Sequence, residues 1–423
     1  MSTGTFPQYI HSEQLNAPQL TSNKGAIGQI LTILDAALCT GCIPNTAASV
    51  SLSGDMVKIT FGVLHGYLRL QFLDITGATS AAFNGKHRIV KVDATSVYIA
   101  KGSITDLTGT IKTKLSPLGW ENMFGTADAL KRAYRSPRLD STRTVLYLDC
   151  ELKGGTKYNK INPMKAAKVN ACRDMLVLGD QIDSHTLQFN GKTLDGMLMW
   201  MQAVEYYESY EVPEGIIKWS IFGDDKLFYF CVAYANTNTP EKRNSRAIYA
   251  FGDLPRLSNA DQYNCILTAT EQSMPSVDTV NYGDSGQNVF DGYVNDDAET
   301  KGCFFIRSSS GLAKMERWNR YAMIGKYNGY SGDGGFGAIN PLTFGLTLSP
   351  ISVKRQTEQA HAGDLPYIRA IGNNLSYTRS TLDLQLHNDY LIMRVAKGNS
   401  SSPTESSYIA VDLMEERRED NLL

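Results

Sequence analysis

The sequence predicts a mainly β protein: a β-sandwich-rich core domain, a small inserted β-sandwich or barrel module, and few short helices. Three observations predict it. Short runs of alternating apolar and polar residues recur along the chain, bounded by Gly, Asn and Asp. Aromatic and β-branched residues crowd those runs, and the chain holds 22 Tyr and 15 Phe to fill pleated surfaces. Its 36 glycines supply the turns such a fold requires.

The stretch from Ile216 to Asp253 is expected to lie at the centre. Trp219-Ser220-Ile221-Phe222 and Leu227 to Tyr234 flank the turn Gly223-Asp224-Asp225-Lys226, which reads as a hairpin. A third run, Arg246 to Phe251, ends in Gly252-Asp253 and repeats the Phe222-Gly223-Asp224 corner. Apolar residues occupy both faces of these strands, so cover is expected on both sides. No chemistry is evident there: the stretch reads as scaffold.

Taken in order, residues 1–25 are polar and irregular, with Pro7 and Pro18, and predict an N-terminal arm that is flexible or orders on a neighbour. Ile27, Ile30, Leu31, Leu34, Ala37 and Leu38 follow at helical spacing, with Gly41 as the stop. Cys39-Thr40-Gly41-Cys42 is a CxxC, but no second ligand pair completes a zinc site. A redox motif should open a helix, whereas this one closes it. It reads as a coincidence of the helix end.

Residues 50–114 change texture. Met56 to Phe61, Tyr67 to Leu73, His87 to Val92 and Ser96 to Ala100 alternate as strands. His65-Gly66, Thr76-Gly77, Asn84-Gly85 and Asp93-Ala94-Thr95 separate them, and Asn-Gly is a strong hairpin signal. A small sandwich or open barrel is the natural solution. The segments 26–49 and 115–423 then form one discontinuous β-rich core domain.

Within it, Ala127 to Tyr134 is expected to make one or two helical turns and Arg143 to Cys150 a strand. Ala166 to Asn170 and Met175 to Leu178 fit either strand or helix. Asp261 to Ala269, Cys303 to Arg307, Leu342 to Val353 (interrupted by Pro350) and Asp364 to Arg369 are expected strands. Tyr390 to Val395 and Tyr408 to Leu413 predict a closing hairpin, and Glu415 to Leu423 a charged tail.

Composition excludes several classes. With 41 basic and 43 acidic residues, the formal charge of −2 offers no field to draw in nucleic acid or an anionic membrane. No run approaches the roughly 18 to 20 apolar residues of a bilayer span. Met1 to Pro7 lacks a basic start and an apolar segment, so no secretory signal is expected. Seven scattered cysteines predict reduced thiols and cytosolic synthesis, with Cys231 and Cys265 as buried hydrophobes.

The sequence carries no recognisable catalytic or metal-binding motif. Histidines 11, 65, 87, 185, 361 and 387 never pair at metal-ligand spacing. Neither G-x-S-x-G nor H-E-x-x-H occurs. Glu205, Glu208 and Glu211 read as solvated side chains, since a glycosidase pair must be set across a cleft. Lys153, Lys157, Lys160, Lys165 and Lys168, interleaved with Tyr158, are a weak nucleic-acid signal on a near-neutral chain. The glycines among residues 327–337 lack the strand-then-helix context of a phosphate cradle, and Asp333 lacks further ligands for calcium. No catalytic, cofactor-binding or metal-binding residue is therefore predicted, no cofactor, and no enzyme.

A resemblance adds to this. Asp74-Ile75-Thr76-Gly77-Ala78-Thr79-Ser80-Ala81-Ala82-Phe83-Asn84-Gly85, continuing through Val92, resembles the immunoglobulin-like inserts of tailed-bacteriophage tail proteins. The flanks resemble a family of phage virion proteins into which such an insert is spliced: Gly28 to Leu38 its opening, Pro117 to Glu121 with Ala133 to Ser136 its resumption. Tyr249 to Asp253, Leu346 to Ile351, Asp364 to Tyr367 and Val411 to Leu413 follow in the family's order. Its Gly-Pro-Trp ending is absent after Leu413, where Glu415-Glu416-Arg417-Arg418-Glu419 stands instead.

The resemblance implies a structural virion component, an oligomeric tail or baseplate protein acting through subunit contacts and assembled in the host cytoplasm. Other virion proteins and copies of itself would be its partners, with no specific nucleic acid and no membrane span. The alternative is a receptor-binding or capsid-decorating protein that meets host-surface glycan through Tyr327 and Tyr330.

Overall fold

The structure, a computed structural model, describes residues 5–21, 27–151, 166–184, 188–189, 192–193, 198–201, 216–233, 246–256, 264–271, 303–306, 315–322, 348–355, 361–371, 384–396 and 406–417. It is mainly β. Three larger sheets, of twelve, seven and seven strands, carry the architecture.

The twelve-stranded sheet is built around the expected hairpin. Trp219–Gly223 pairs antiparallel with Leu227–Ala233, which pairs in turn with Arg246–Asp253. Alternation sends Ile221, Phe228, Phe230, Tyr249 and Phe251 into one apolar core. Phe222, Leu227, Tyr229, Cys231 and Ile248 enter a second core on the opposite face. Both faces are covered, as the apolar run predicts. Trp120 meets Phe228 edge-on at 5.1 Å and Trp200 stacks on Tyr249 at 5.7 Å, arrangements that the ring quadrupoles favour.

From the hairpin the sheet runs through Cys265–Thr268, Cys303–Phe305, Glu316–Ala322, Leu348–Arg355 and His361–Ile371. It ends in Ser406–Asp412, Tyr390–Ala396 and Leu384–His387. The first two of these make the predicted closing hairpin, in register from Tyr390↔Asp412 to Ala396↔Ser406. A parallel bridge, Arg246↔Val395, returns the sheet to its own centre, so it curls around the second core. Pro350 lies beside a register shift, where a missing donor costs the ladder least. Residues 342–347 of that expected strand lie outside the described residues.

A seven-stranded sheet centred on Val145–Asp149 and Ala166–Met175 lays Leu146, Leu148, Val169 and Trp200 on the first core. The ambiguous stretch near Ala166 is therefore strand. Ala127 to Tyr134 departs from expectation: Lys131–Arg135 is a strand, with Ala133 and Tyr134 entering different cores. A residue pair buried on opposite faces needs the period of two that a helix cannot supply.

The third sheet is made entirely by Cys42 to Leu115. It folds as a sandwich because Gly85–Val92 crosses between layers. Its first half pairs with Phe72–Ala78 and its second with Ser96–Ala100, across a bulge between Ile89 and Lys91. Val57, Ile59, Leu73, Ile75, Phe83, Val97 and Ile99 fill it, continuous with the helix residues Ile30, Leu31 and Leu34.

Two local expectations change here. Tyr67 to Gln71 is loop rather than strand, with Leu70 at φ 69°. Asn84-Gly85 is no two-residue turn: Ile75 pairs with Gly85, and the Asn84 amide holds the connection by bonding Ala78 N and O at 3.0 and 2.8 Å.

The helix Gln29–Leu34 continues as a wider π-type segment, Asp35–Thr40, and stops at Gly41 with φ 77°. A Cβ there would lie 2.4 Å from the Leu115 carbonyl, so the stop is also a close approach.

Residues 5–21 are not a detached arm. Gln8–His11 forms a buried edge strand against Trp219–Gly223 of the same chain. Gln8 Nε2 donates to Phe72 O and Ser116 O, and the Gln14 and Gln71 amides pair reciprocally at 3.0 Å. Buried amides that satisfy each other explain how so polar a segment enters a core.

Gly252, at φ 134°, would place a Cβ 2.0 Å from the Lys226 carbonyl. Gly252→Ala is expected to destabilise the fold by more than about 1 kcal/mol, the most that the same change gains where the backbone is compatible with it. A urea midpoint unchanged from wild type would contradict the packing described.

Candidate functional site

The described residues hold a dense constellation of charge at the two Gly-Asp corners of the central hairpin. Gly223 and Gly252 both take φ values open to glycine, 144° and 134°. The backbones therefore close tightly: Asp224 N donates to Leu227 O and Asp253 N to Lys226 O, each at 2.9 Å. Leu227 pairs with Gly252, so the repeated corners in the sequence become neighbours in space.

Asp224 is 2% exposed and saturated with donors. Its Oδ1 accepts from Lys226 N at 2.7 Å and Leu227 N at 2.8 Å, closing the turn on itself. Its Oδ2 accepts from the Tyr367 hydroxyl and from Arg417 Nη1, the latter at 3.0 Å. Its carbonyl accepts from Trp120 Nε1 at 2.8 Å. Arg417, 6% exposed, reaches Asp253 O with Nη2 at 2.5 Å, while its backbone N–H donates to Thr5 O at 3.0 Å. Asp253 accepts through its carboxylate from Thr142 N and Oγ1, both at 2.6 Å. At the rim, Lys226 Nζ meets Asp140 Oδ2 at 2.5 Å and Arg369 meets Glu415 at 3.0 Å.

The electrostatics follow from burial and partners. Burial pushes the Asp224 carboxyl up, but Arg417, the Tyr367 hydroxyl and two backbone amides outweigh it and hold the group below its usual range. Asp253, with burial dominant and no direct guanidinium contact to its carboxylate, is raised. Asp225 is raised by burial and by its neighbour Asp224. With these partners Asp224 is stably ionised and inaccessible. The arrangement fastens chain segments together rather than presenting a reactive group.

The charged tail of the sequence is thus, through Arg417, a buried strap. Sequence reasoning missed it, although the repeated Phe-Gly-Asp corner was visible. What it lacked was the partner, 193 residues away along the chain from Asp224.

The other sequence candidates are placed plainly. Cys42 is buried and Cys39 partly so, and burial pushes both thiols up to about 12, against the thiolate that redox or metal chemistry requires. His65 is buried between Phe61 and Tyr67, accepting from Tyr67 N at Nδ1 and contacting Asp93 O through Nε2, both at 2.9 Å. Among the described residues no group of three or more His, Cys, Asp and Glu is set to hold a metal, and no helix is long and apolar enough to cross a membrane. An open depression of about 590 Å³ is lined by Arg69, Leu386, Asn388 and Asp389, and there the cation of Arg69 is already paired with Asp389 at 3.1 Å. Tyr327, Tyr330, Asp333, Glu205, Glu208, Glu211 and Lys153 to Lys165 lie outside the described residues.

No family model and no curated protein matches the sequence. Among solved structures, the chain is similar to phage phi92 endosialidase with a TM-score of 0.15 and 8% identity, over 90% of this chain and 54% of that one. The chain spans about half the length of that protein, and a likeness of this size carries no argument about activity.

Removing one partner of a buried pair strands the other. Arg417→Met is expected to cost about 3–5 kcal/mol, while Asp224→Asn with Arg417→Met recovers part of the loss. Equal urea midpoints for wild type and Arg417→Met would refute the strap. The depressed Asp224 carboxyl contributes stability that is complete above the unfolded value of about pH 3.9 and lost as pH falls through its folded value. The raised Asp253 works in the opposite sense, gaining a proton as pH falls toward that value. Asp224→Asn should accordingly flatten the acid limb of stability below about pH 4. Cys42 should resist iodoacetamide at neutral pH in the folded protein and react in urea; fast native labelling would count against its burial.

Proposed function

We propose that this chain is a structural component of a tailed-phage virion, an oligomeric tail or baseplate protein that acts through contacts between subunits. In this reading residues 50–114 are an immunoglobulin-like module inserted into a core formed by 26–49 and 115–423. The observation that carries it is the structural demand on the phrase that resembles phage inserts. Gly77 sits at φ 83°, where a Cβ would lie 2.1 Å from Thr110 O; Phe83 is fully buried; Asn84 staples the loop to Ala78. Gly77, Phe83 and Asn84 thus each have a structural reason to be what they are.

The joint supports an insert as well. Cys42 pairs with Leu115, so the chain leaves the core and returns to it at one place. Such a connection lets a module be added without disturbing what flanks it. The module is also fastened, since Arg88 donates to Leu413 O at 2.5 Å and stacks on Phe6 with 4.5 Å to the ring centroid. A module fastened to the core and a charge cluster saturated by partners within the chain suit a protein whose work is assembly.

Mass spectrometry of washed particles should find this chain at a copy number matching the symmetry of the tail or baseplate. Particles that are infectious and lack it would overturn the reading.

A further inference from the structure

The module ends in the strand Ser49–Ser53, which pairs along one side with Met56–Thr60 and closes the sheet order. Sheet edges in monomeric proteins are commonly guarded by charge, proline or a bulge, because a free edge recruits strands. The opposite edge of this sandwich, Cys42–Thr46, has such guards: Pro44 and a register shift between Cys42 and Asn45. Ser49–Ser53 has no charge, no proline and five consecutive register partners without a shift. Its burial pattern is largely exposed, and Leu52 stands 54% exposed.

The strand also matches itself. Ser49-Val50-Ser51-Leu52-Ser53 reads almost alike in both directions. Laid antiparallel on a second copy about Ser51, it sets Ser49 opposite Ser53 and Val50 opposite Leu52. Counting alternation from the Gly54-Asp55 turn, Ser49, Ser51 and Ser53 spend their backbone groups on Met56–Thr60, and Val50 and Leu52 direct theirs outward. Two copies would then exchange about four backbone bonds. Val50 already packs at the rim of the core, and its partner's Leu52 would extend that apolar surface over the exposed one. The nearest like charges, Lys58 of each copy, would be three strand spacings apart, roughly 14 Å and beyond the Debye length of about 8 Å.

We infer that Ser49–Ser53 is a homotypic docking edge, through which two copies of this chain join their modules into one continuous sheet about a two-fold axis. The contact is isologous, so it closes at two and adds to whatever ring the core builds. The inference rests on the reading that the chain acts by subunit contacts, and it names the contact.

The experiment uses the full chain. Light scattering coupled to size exclusion should show a concentration-dependent doubling of mass, and Leu52→Lys should weaken it by about tenfold or more. Ser51→Cys lies on the two-fold, in a non-hydrogen-bonded pair with Cα atoms about 4.5 Å apart, within disulfide range. Mild oxidation should convert Ser51→Cys to a covalent dimer, whereas wild type and Ala81→Cys, exposed on the far loop, should not cross-link. Should Leu52→Lys fail to fold by circular dichroism, the Ser51→Cys result decides. A wild type that stays monomeric, or that associates with no effect of Leu52→Lys and no cross-link at Ser51→Cys, overturns the edge. That outcome with the chain present in washed virions refutes the contact alone; a cross-linked dimer absent from virions refutes the virion reading alone.

Discussion

The ion pair between Arg417 and Asp224 is the constraint on which the rest of the molecule depends. It fastens the final described segment to the turn of the innermost hairpin, and through one guanidinium it also reaches Asp253 and, by its backbone, Thr5. Tyr367 and Trp120 complete the shell from two further parts of the chain. Burying an ion pair stabilises little by itself, since desolvation offsets most of the attraction. What it supplies here is specificity. An Asp224 that failed to find Arg417 would be a buried carboxylate without its counter-charge, so packings that separate the two are disfavoured.

A second, uncharged layer of polar contacts serves the N-terminal segment. Gln8, Gln14 and Gln71 each spend their amides on backbone or on one another, joining residues 8–14 to the module at Phe72 and Gly66. Tyr9 adds a bond to Arg69 O at 2.7 Å. The module, the first strand and the curled sheet thereby share one interior. A module held in this way cannot swing freely, and its free edge is presented in a fixed direction.

Much of the core was legible because its signals are local. Aromatic and β-branched runs broken by Gly-Asp give strands and a hairpin wherever they occur, and the double-sided apolar pattern from Trp219 to Phe251 is possible only for a covered sheet. The closing hairpin near Tyr390 and the helix stop at Gly41 were readable for the same reason. Errors arose where a distant partner overrode the local pattern. Lys131–Arg135 alternates between two cores that no window of its own sequence contains. Tyr67 to Gln71 has strand propensity, yet Gln71 and His65 draw it into a loop by bonding Leu68 N and Tyr67 N.

The sequence by itself determined the β class, the central hairpin and the repeated Gly-Asp corner. Each depends on residues within a few positions of one another. Only the tertiary structure decided that the polar first segment is a buried strand, that the terminal charges include a buried strap, and that two corners 29 positions apart share one arginine. The physical reason is the same in each case. Polar and charged residues enter a core only where partners satisfy them, and those partners were brought close by folding rather than by order along the chain.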